Sequence, residues 1–445
     1  MVDPLLTDLY EFTMAAALLG EGRADAPATF SLFVRNLPPS RGYLVAAGLH
    51  EAVRFLRDWR FDEDAVARLE AVAPFDPDFL DWLRELRFSG RARAVPEGRL
   101  VFAGEPLIEI DASFGEAQLL ETALLFLFTF PTAVATKAAR CREEAGGRAL
   151  VDFGLRRAHG ADAGMAAARA AAITGFVATS NVAAAVRFGY PASGTMAHSF
   201  LTAMACNDPS GELDAFRAFA EHYRGDPVLL VDTWDTAGGI DHAVVVAKEL
   251  AAAGRRLAAI RLDSGDVVAL AKLARQRLDA AGLADVAVFA SGGLDEYEIA
   301  RLLAAGAPID GFGVGTNFAT SADAATLETV YKLVAVDGQP MAKHSTGKAT
   351  LPCAKQVWRR PGFGGDVLGL WDEPNPAPGA APLLEEVDLA AEPGDPEAVA
   401  AARERFEADW STLPKQYRDI TNPTRYEVEV SVRLQALAES SFAPG

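Results

Sequence analysis

The sequence predicts an α/β protein, a parallel α/β barrel beside a flanking α+β domain, and three observations lead there. Between about Ala149 and Lys332 one pattern recurs: a short apolar run, a cluster of Gly, Ser, Thr, Asp or Arg, then a helical stretch rich in Ala and Leu. That is the grammar of successive βα units. The apolar runs fall at residues 150–154, 175–180, 192–198, 228–232, 258–263, 286–291 and 310–315. So many units in a short stretch favour a closed or nearly closed barrel over the alternative, a doubly wound open sheet. Both ends of the chain lack the repeat. Candidate strands at 28–34 and 100–110 and helices around Ala15, Ala52 and Leu80 occupy the first part, and strands with Pro/Gly-rich turns return after about residue 345. The two ends are therefore expected to combine, with residues 1–130 and 346–445 forming the flanking domain and 131–345 the barrel.

Size and composition suit this plan. A chain of 445 residues exceeds one average core. With 50% apolar and 23% charged residues it has the balance of a folded protein. The formal charge of -19 repels nucleic acid and anionic membrane, so neither is expected as a partner. It also repels a phosphorylated substrate, which must then meet a local cluster of Arg, Lys or backbone N–H groups. Cys141, Cys206 and Cys353 are too few and too scattered for a disulfide framework or a four-cysteine zinc site. A reducing cytoplasm fits them. Asp3, Asp8 and Glu11 stand where a signal peptide would need basic and then apolar residues. The most apolar stretch, 123–135, is shorter than a membrane span and contains Pro131, which predicts a buried helix ending at the proline.

The polar clusters follow the apolar runs, at the strand ends where a barrel builds its active site. Arg261-Leu262-Asp263-Ser264-Gly265-Asp266 places a guanidinium and two carboxylates where a phosphate ester and its Mg²⁺ can be held together. The plainer reading is a helix cap by Asp263 or Ser264, with Asp266 favouring the dipole, but capping does not require Arg261. Ser291-Gly292-Gly293 and Gly311-Phe312-Gly313-Val314-Gly315-Thr316 are glycine turns at consecutive late strands, where backbone N–H groups can bind phosphate. Asp152-Phe153-Gly154-Leu155-Arg156-Arg157 sets two arginines after the first run. They suit a carboxylate or pyrophosphate, or one salt bridge and one solvated side chain, and spacing does not separate these. Gly194-Thr195-Met196-Ala197-His198-Ser199 offers a histidine flanked by two hydroxyls, a base or phosphorus nucleophile if not a hydrogen-bonded core residue. Val231-Asp232-Thr233-Trp234-Asp235-Thr236 adds carboxylates for which capping is an equal explanation.

Taken in this order, the segments resemble nicotinate phosphoribosyltransferase. The resemblance starts at Thr7-Asp8-Leu9-Tyr10-Glu11 and runs through the Asp152, Gly194, Arg261 and Gly313 segments. It continues through Tyr331-Lys332-Leu333-Val334, Lys343-His344-Ser345 and Lys355-Gln356-Val357 to Asn422-Pro423. It implies a type II phosphoribosyltransferase fold, an incomplete barrel beside a smaller α+β domain made from both chain ends, with active sites shared across a homodimer. By the same resemblance Tyr10, Thr195 and Arg261 would contact nicotinate, Tyr10 stacking on the pyridine and Arg261 engaging the carboxylate. Arg156, Gly315 and Thr316 would lie in the phosphoribosyl site, beside the Gly292 and Gly293 turn, and Ser199 would line the substrate. His198 would be phosphorylated by ATP, and Asp232 or Asp263 would serve the sugar or Mg²⁺. The implied reaction is ATP-coupled transfer from phosphoribosyl pyrophosphate to nicotinate, giving nicotinate mononucleotide and pyrophosphate, the first step of NAD salvage. Two departures stand out: Cys353 occupies a turn where relatives often have glycine, and the cysteine-rich zinc element of some relatives is missing. The rival readings are transfer to another pyridine, nicotinamide or quinolinate, and a non-catalytic phosphate-ligand sensor.

Overall fold

The computed structural model describes residues 2–342, 350–391 and 394–441. The segment Lys343-His344-Ser345 lies outside the described residues. Two compact units result, one from Met1–Thr136 with Ala324–Gly445 and one from Lys137–Asp323. The breaks thus fall at 136/137 and 323/324, against the 130/131 and 345/346 drawn from sequence. The second break moves because Thr329–Val336 is a strand of the first unit, antiparallel to Pro27–Val34 from Ala28↔Val336 to Val34↔Thr329.

The first unit is α+β and draws on both ends of the chain. Its six-stranded sheet runs Gln339–Pro340, Thr329–Val336, Pro27–Val34, Pro106–Ser113, Arg91–Ala94, Glu385–Glu386. Phe30, Leu32 and Val34 are buried in its central strand, and Phe30 stacks on Tyr331 of the neighbouring strand at 4.8 Å between ring centroids. Cross-strand aromatic pairs of this kind fix register. The single strand expected at 100–110 is two, Leu100–Val101 and Pro106–Ser113. A turn separates them, in which the Phe102 N–H donates to the Glu105 carboxylate at 2.8 Å. A smaller sheet of Ala381–Pro382, Lys355–Arg359, Asp366–Leu370 and Val428–Val430 completes the unit. The flanking helices carry the expected stripes: Leu49–Asp58 buries Ala52, Phe55 and Leu56, and Pro77–Glu85 buries Phe79, Leu80 and Leu83. Cys353 adopts φ 61, the left-handed region that favours glycine, so its departure from the family falls where a Cβ strains the backbone.

The helix expected to end at Pro131 instead runs from Glu121 to Ala145, with Pro131 inside it. Proline cannot donate to the carbonyl four residues back, here that of Leu127. The chain crossing at 45–48 holds the helix on both sides of the defect. Gly48, at φ +107, packs so closely on the Leu127 carbonyl that a Cβ would stand 1.9 Å from its oxygen. Thr132 Oγ1 donates to the Ala47 carbonyl at 3.1 Å, and Thr136 Oγ1 accepts from the Val45 N–H at 2.9 Å. The helix is long and apolar enough to cross a membrane, yet Leu124, Phe128 and Ala133 are wholly buried in the protein core and Lys137 and Arg140 are buried ion-paired to Glu296.

Glu11, on the helix Leu9–Gly20, is also buried and is tied to Thr122 N at 2.9 Å and Thr7 Oγ1 at 2.6 Å. Desolvation outweighs these bonds and pushes its carboxyl up to about 7 from an ordinary 4.5. The folded state therefore holds this proton to higher pH than the unfolded chain. The resulting stabilisation is complete below about pH 4.5 and is lost as pH rises to about 7. Glu11→Gln should flatten the decline in melting temperature across that window, and a decline as steep as that of the unsubstituted chain would refute it.

The second unit is a curled sheet of six parallel strands: Ala149–Asp152, Ala178–Thr179, Val228–Leu230, Ala259–Leu262, Ala287–Ala290 and Gly311–Val314. Taken in chain order as first to sixth, they lie side by side as second, first, sixth, fifth, fourth, third. Helices follow the strands, among them Ala161–Ile173, Thr236–Ala252, Val267–Ala280 and Glu296–Ala304. Ala167, Ala168 and Ala170 to Ala172 let the first of these pack closely. The strand expected at 192–198 does not form. Only an isolated bridge joins Ala192 to Thr179, and His198 already begins the helix His198–Met204. This segment nevertheless spans the open side of the sheet: the Ser193 N–H bonds the Thr179 carbonyl at 2.9 Å at one edge strand, and Thr195 Oγ1 bonds the Val228 carbonyl at the other.

Candidate active site

At the C-terminal end of this sheet the polar turns are linked to one another. Asp232, just past the strand Val228–Leu230, accepts through Oδ2 from the Asp263 N–H at 2.9 Å and from Ser264 Oγ at 2.8 Å. Asp263 Oδ1 accepts from Ser291 Oγ in the next turn, and Asp263 Oδ2 lies 4.0 Å from His198 Nε2. His198 Nδ1 is 3.1 Å from Thr233 Oγ1. The Gly293 carbonyl accepts from Asn317 Nδ2 at 3.2 Å, which ties the Gly292–Gly293 turn to the Gly315–Thr316 turn. Phe153 fills the space beside Gly313, where a Cβ would meet its ring at 2.4 Å, and it lies against Gly315. The Arg261 guanidinium carbon stands 6.0 Å from the centre of the Phe153 ring.

These contacts divide the capping explanation from the others. Asp266 caps Val267–Ala280 by accepting from the Ala269 N–H, Asp235 caps Thr236–Ala252 through Gly238, and Asp295 caps Glu296–Ala304. Since each helix already has its cap, Asp263 and Asp232 are left to bond across turns. Asp232 Oδ1 is buried with no hydrogen-bond partner among the described residues. Asp152 belongs to the scaffold: Gly154 N–H and Thr179 Oγ1 each reach it at 2.7 Å, and burial raises its carboxyl above the ordinary value.

Arg261 is the most unusual side chain here. Its only hydrogen bond among the described residues runs from Nη2 to the Met196 carbonyl at 3.3 Å, and its Nε is buried without a partner. Burial pulls its pKa below the ordinary arginine value, opposed by Asp263 and Asp232 and aided by the like charge of Arg156. A partly desolvated guanidinium with an idle donor has the chemistry to take an anion.

His198, Asp232, Asp263, Arg261, Thr195, Gly292, Gly293 and Gly315 all fall on this connected set of turns. Ser199 and Thr316 are exposed on the helices that begin there. Arg156 and Arg157 are exposed on the 3-10 turn Leu155–Arg157, and neither forms an ion pair among the described residues. Tyr10 lies in the other unit, on Leu9–Gly20, with 44% of its surface exposed. Sequence reasoning passed over Phe153, Thr233, Ser291 and Asn317 as individual side chains. The first three sat inside segments already singled out, but nothing in their spacing marks them. Among the described residues one trio of potential metal ligands converges, His50, Glu51 and Asp395 in the flanking unit; Arg54 is 3.3 Å from Asp395, which makes that cluster an ion-pair network.

A parallel barrel-like sheet whose strand ends gather a half-buried arginine, carboxylates, a histidine and two glycine turns defines the class, an α/β-barrel enzyme. Relatives of known activity agree. The profile described as nicotinate phosphoribosyltransferase N-terminal domain matches residues 5–129, and that of the nicotinate phosphoribosyltransferase family matches residues 148–407. A nicotinate phosphoribosyltransferase of Mycobacterium tuberculosis is 48% identical over 373 residues, 83% of this chain and 78% of its own length. The Homo sapiens nicotinate phosphoribosyltransferase is 35% identical over 99% of this chain and 97% of its own. The crystal structure of human nicotinic acid phosphoribosyltransferase superposes with a TM-score of 0.84 at 33% identity, covering 99% of this chain and 100% of that one. The chain belongs to the nicotinate phosphoribosyltransferase family, and its fold is that of the type II phosphoribosyltransferases.

Proposed function

We propose that this chain transfers the phosphoribosyl group of phosphoribosyl pyrophosphate to nicotinate, releasing pyrophosphate and forming nicotinate mononucleotide for NAD salvage, with ATP coupled through His198. The observation that carries the reading is Arg261, a half-buried guanidinium whose buried Nε has no partner among the described residues, beside the face of Phe153. A flat ring bearing a carboxylate satisfies both at once: the ring lies on the aromatic face and the carboxylate takes the fork. Nicotinamide offers no charge to Arg261.

The remaining roles follow from charge. Displacing pyrophosphate from the ribose carbon builds positive charge on the sugar and negative charge on the leaving group. Asp232 and Asp263 would face the former, while the Gly292–Gly293 turn, Gly315, Thr316 and Arg156 would receive phosphate oxygens, with Thr195 and Ser199 at the rim. The pyridine nitrogen carries a lone pair at neutral pH, so no base is needed to activate it. Asp232 Oδ1, without a partner among the described residues, and the Asp263 carboxylate fit an oxygen-seeking divalent cation. When bound, Mg²⁺ would neutralise charge on the pyrophosphate. A cytoplasmic homodimer is part of the reading, with Tyr10 of one copy covering the pyridine held by the other. The exposed apolar residues Leu6, Leu9, Tyr10 and Met14 support such an interface, and nothing in the reading involves nucleic acid or membrane.

The direct test supplies nicotinate, phosphoribosyl pyrophosphate, Mg²⁺ and ATP and looks for nicotinate mononucleotide. Preference for nicotinamide or quinolinate would overturn the substrate assignment. In the same assay His198→Ala should abolish acid-labile phosphate on the protein and remove stimulation by ATP while slow transfer continues. Full ATP stimulation in that variant would refute the role of His198.

A further inference from the structure

We propose that Ser291 is a positioning residue that holds the Asp263 carboxylate away from Arg261, so that the guanidinium stays open for the carboxylate of the incoming pyridine. The inference rests on the reading of Arg261 as the nicotinate contact. It goes further by naming the side chain that keeps this contact from being satisfied within the chain itself.

Arg261 has a competitor for its ligand two residues away. It stands near the end of the strand Ala259–Leu262, and Asp263 follows at the spacing that puts strand side chains on one face. The charges of Asp263 and Asp232 both act on the guanidinium. Among the described residues it nevertheless pairs with neither, and its one hydrogen bond goes to the Met196 carbonyl. A guanidinium beside two carboxylates would ordinarily close on one of them. Here both carboxylates are already engaged by other donors. The strand ends lie in register: Leu230, Arg261 and Phe289 form one row, and Asp232, Asp263 and Ser291 follow two positions on. In that second row Asp232 Oδ2 takes the Asp263 N–H and Ser264 Oγ, and Asp263 Oδ1 takes Ser291 Oγ.

A carboxylate only accepts, so Ser291 is the donor in this bond. Ser291 is 2% exposed, and its backbone is fixed on both sides. Its N–H bonds the Leu262 carbonyl at 2.9 Å, and Gly292 after it packs on the Asp263 carbonyl. The hydroxyl is not needed as a helix cap, since Asp295 caps Glu296–Ala304. With Oδ1 held, Oδ2 is left 4.0 Å from His198 Nε2, too far for a hydrogen bond. The Ser291 hydroxyl is thus the one hydrogen-bond donor to this carboxylate among the described residues. Without it a partly buried anion loses its partner. Arg261, whose Nε has no partner among the described residues, offers a replacement of opposite charge. A carboxylate bound there fills the planar fork that nicotinate would otherwise take.

The experiment uses the full-length protein and two measurements. Crystal structures of the parent and Ser291→Ala locate the Asp263 carboxylate, and calorimetry gives nicotinate affinity for the parent, Ser291→Ala, Ser291→Cys, Asp263→Asn and the double variant. In Ser291→Ala the carboxylate should turn onto Arg261. Nicotinate should then bind roughly ten- to hundred-fold more weakly, the equivalent of one hydrogen bond to a charged group. Ser291→Cys, of similar size but a poor donor, should repeat the loss. In the Asp263→Asn background no charge competes for Arg261, so Ser291→Ala should have no effect there, an outcome that a merely structural role of Ser291 would not produce. An Asp263 carboxylate that keeps its place in Ser291→Ala, or a loss equally large in the Asp263→Asn background, would overturn the proposal. If the carboxylate closes on Arg261 while nicotinate binding is unchanged, the positioning by Ser291 stands and the reading of Arg261 as the nicotinate contact fails.

Discussion

Replacing Arg261 with alanine is expected to lower kcat/KM for nicotinate by about 2–5 kcal/mol, a factor of roughly 30 to 4000, mostly through KM. The size follows from what is lost. In the intact site the ligand carboxylate would leave water for a guanidinium that burial has already partly desolvated and whose Nε has no other partner among the described residues. Without it the carboxylate must be buried uncompensated, which costs far more than a missing surface contact. Arg261→Lys keeps the charge and loses the planar fork, so it should recover part of the loss. Nicotinamide is the internal control, because a neutral amide has no charge to strand and its weak use should change little. Equal loss for both pyridines would move Arg261 from the carboxylate to the phosphoribosyl group, and unchanged kinetics would remove it from the site.

The second large effect is expected at Gly292, through the backbone. Its φ is +89, and a Cβ there would lie 2.0 Å from the Asp263 carbonyl oxygen. Alanine must bear about 1–2 kcal/mol for the left-handed conformation and must also push two strand-end turns apart. The carbonyl it displaces belongs to the residue that holds Ser291 and faces His198. Gly292→Ala should thus melt several degrees lower and bind phosphoribosyl pyrophosphate at least about ten-fold more weakly, since small displacements of positioning groups are felt steeply in rate and affinity. Gly293→Ala is the matched comparison, with φ +67 but open space at the Cβ; it should show the strain without the collision. If the two variants behave alike, the close approach to Asp263 is not what requires glycine.

Much of this architecture can be read along the chain because it depends on local pattern. The alternation of apolar runs with Ala-rich helices locates the six parallel strands, and the polar cluster after each locates the site. What could not be read depends on partners distant in sequence. Pro131 looks like a helix end until the chain at 45–48 is placed beside it, with Gly48 against the Leu127 carbonyl and Thr132 and Thr136 bonding across. Residues 192–198 have the composition of a strand, but only Ala192 finds a bridge partner. Spacing leaves Asp232 evenly open between cap and site and favours a site for Asp263 only through its neighbour Arg261, because the question turns on which neighbour caps each helix; Asp235 and Asp266 do. Phe153 and Thr233 have no signature of their own, and their significance lies in what faces them.

The loosely attached segment that bridges the open side of the curled sheet carries a mechanical implication. A histidine held within a strand ladder could shift only by breaking several cooperative backbone bonds at once. Beyond Ser193 this stretch is fastened, among the described residues, by side-chain hydrogen bonds of Thr195, of the Arg261 guanidinium and of His198 to Thr233, contacts worth on the order of 1 kcal/mol each. A change of charge on His198 can therefore be accommodated by a small hinge in irregular backbone, and it would reach the proposed pyridine pocket directly, since one of these fasteners is Arg261 itself.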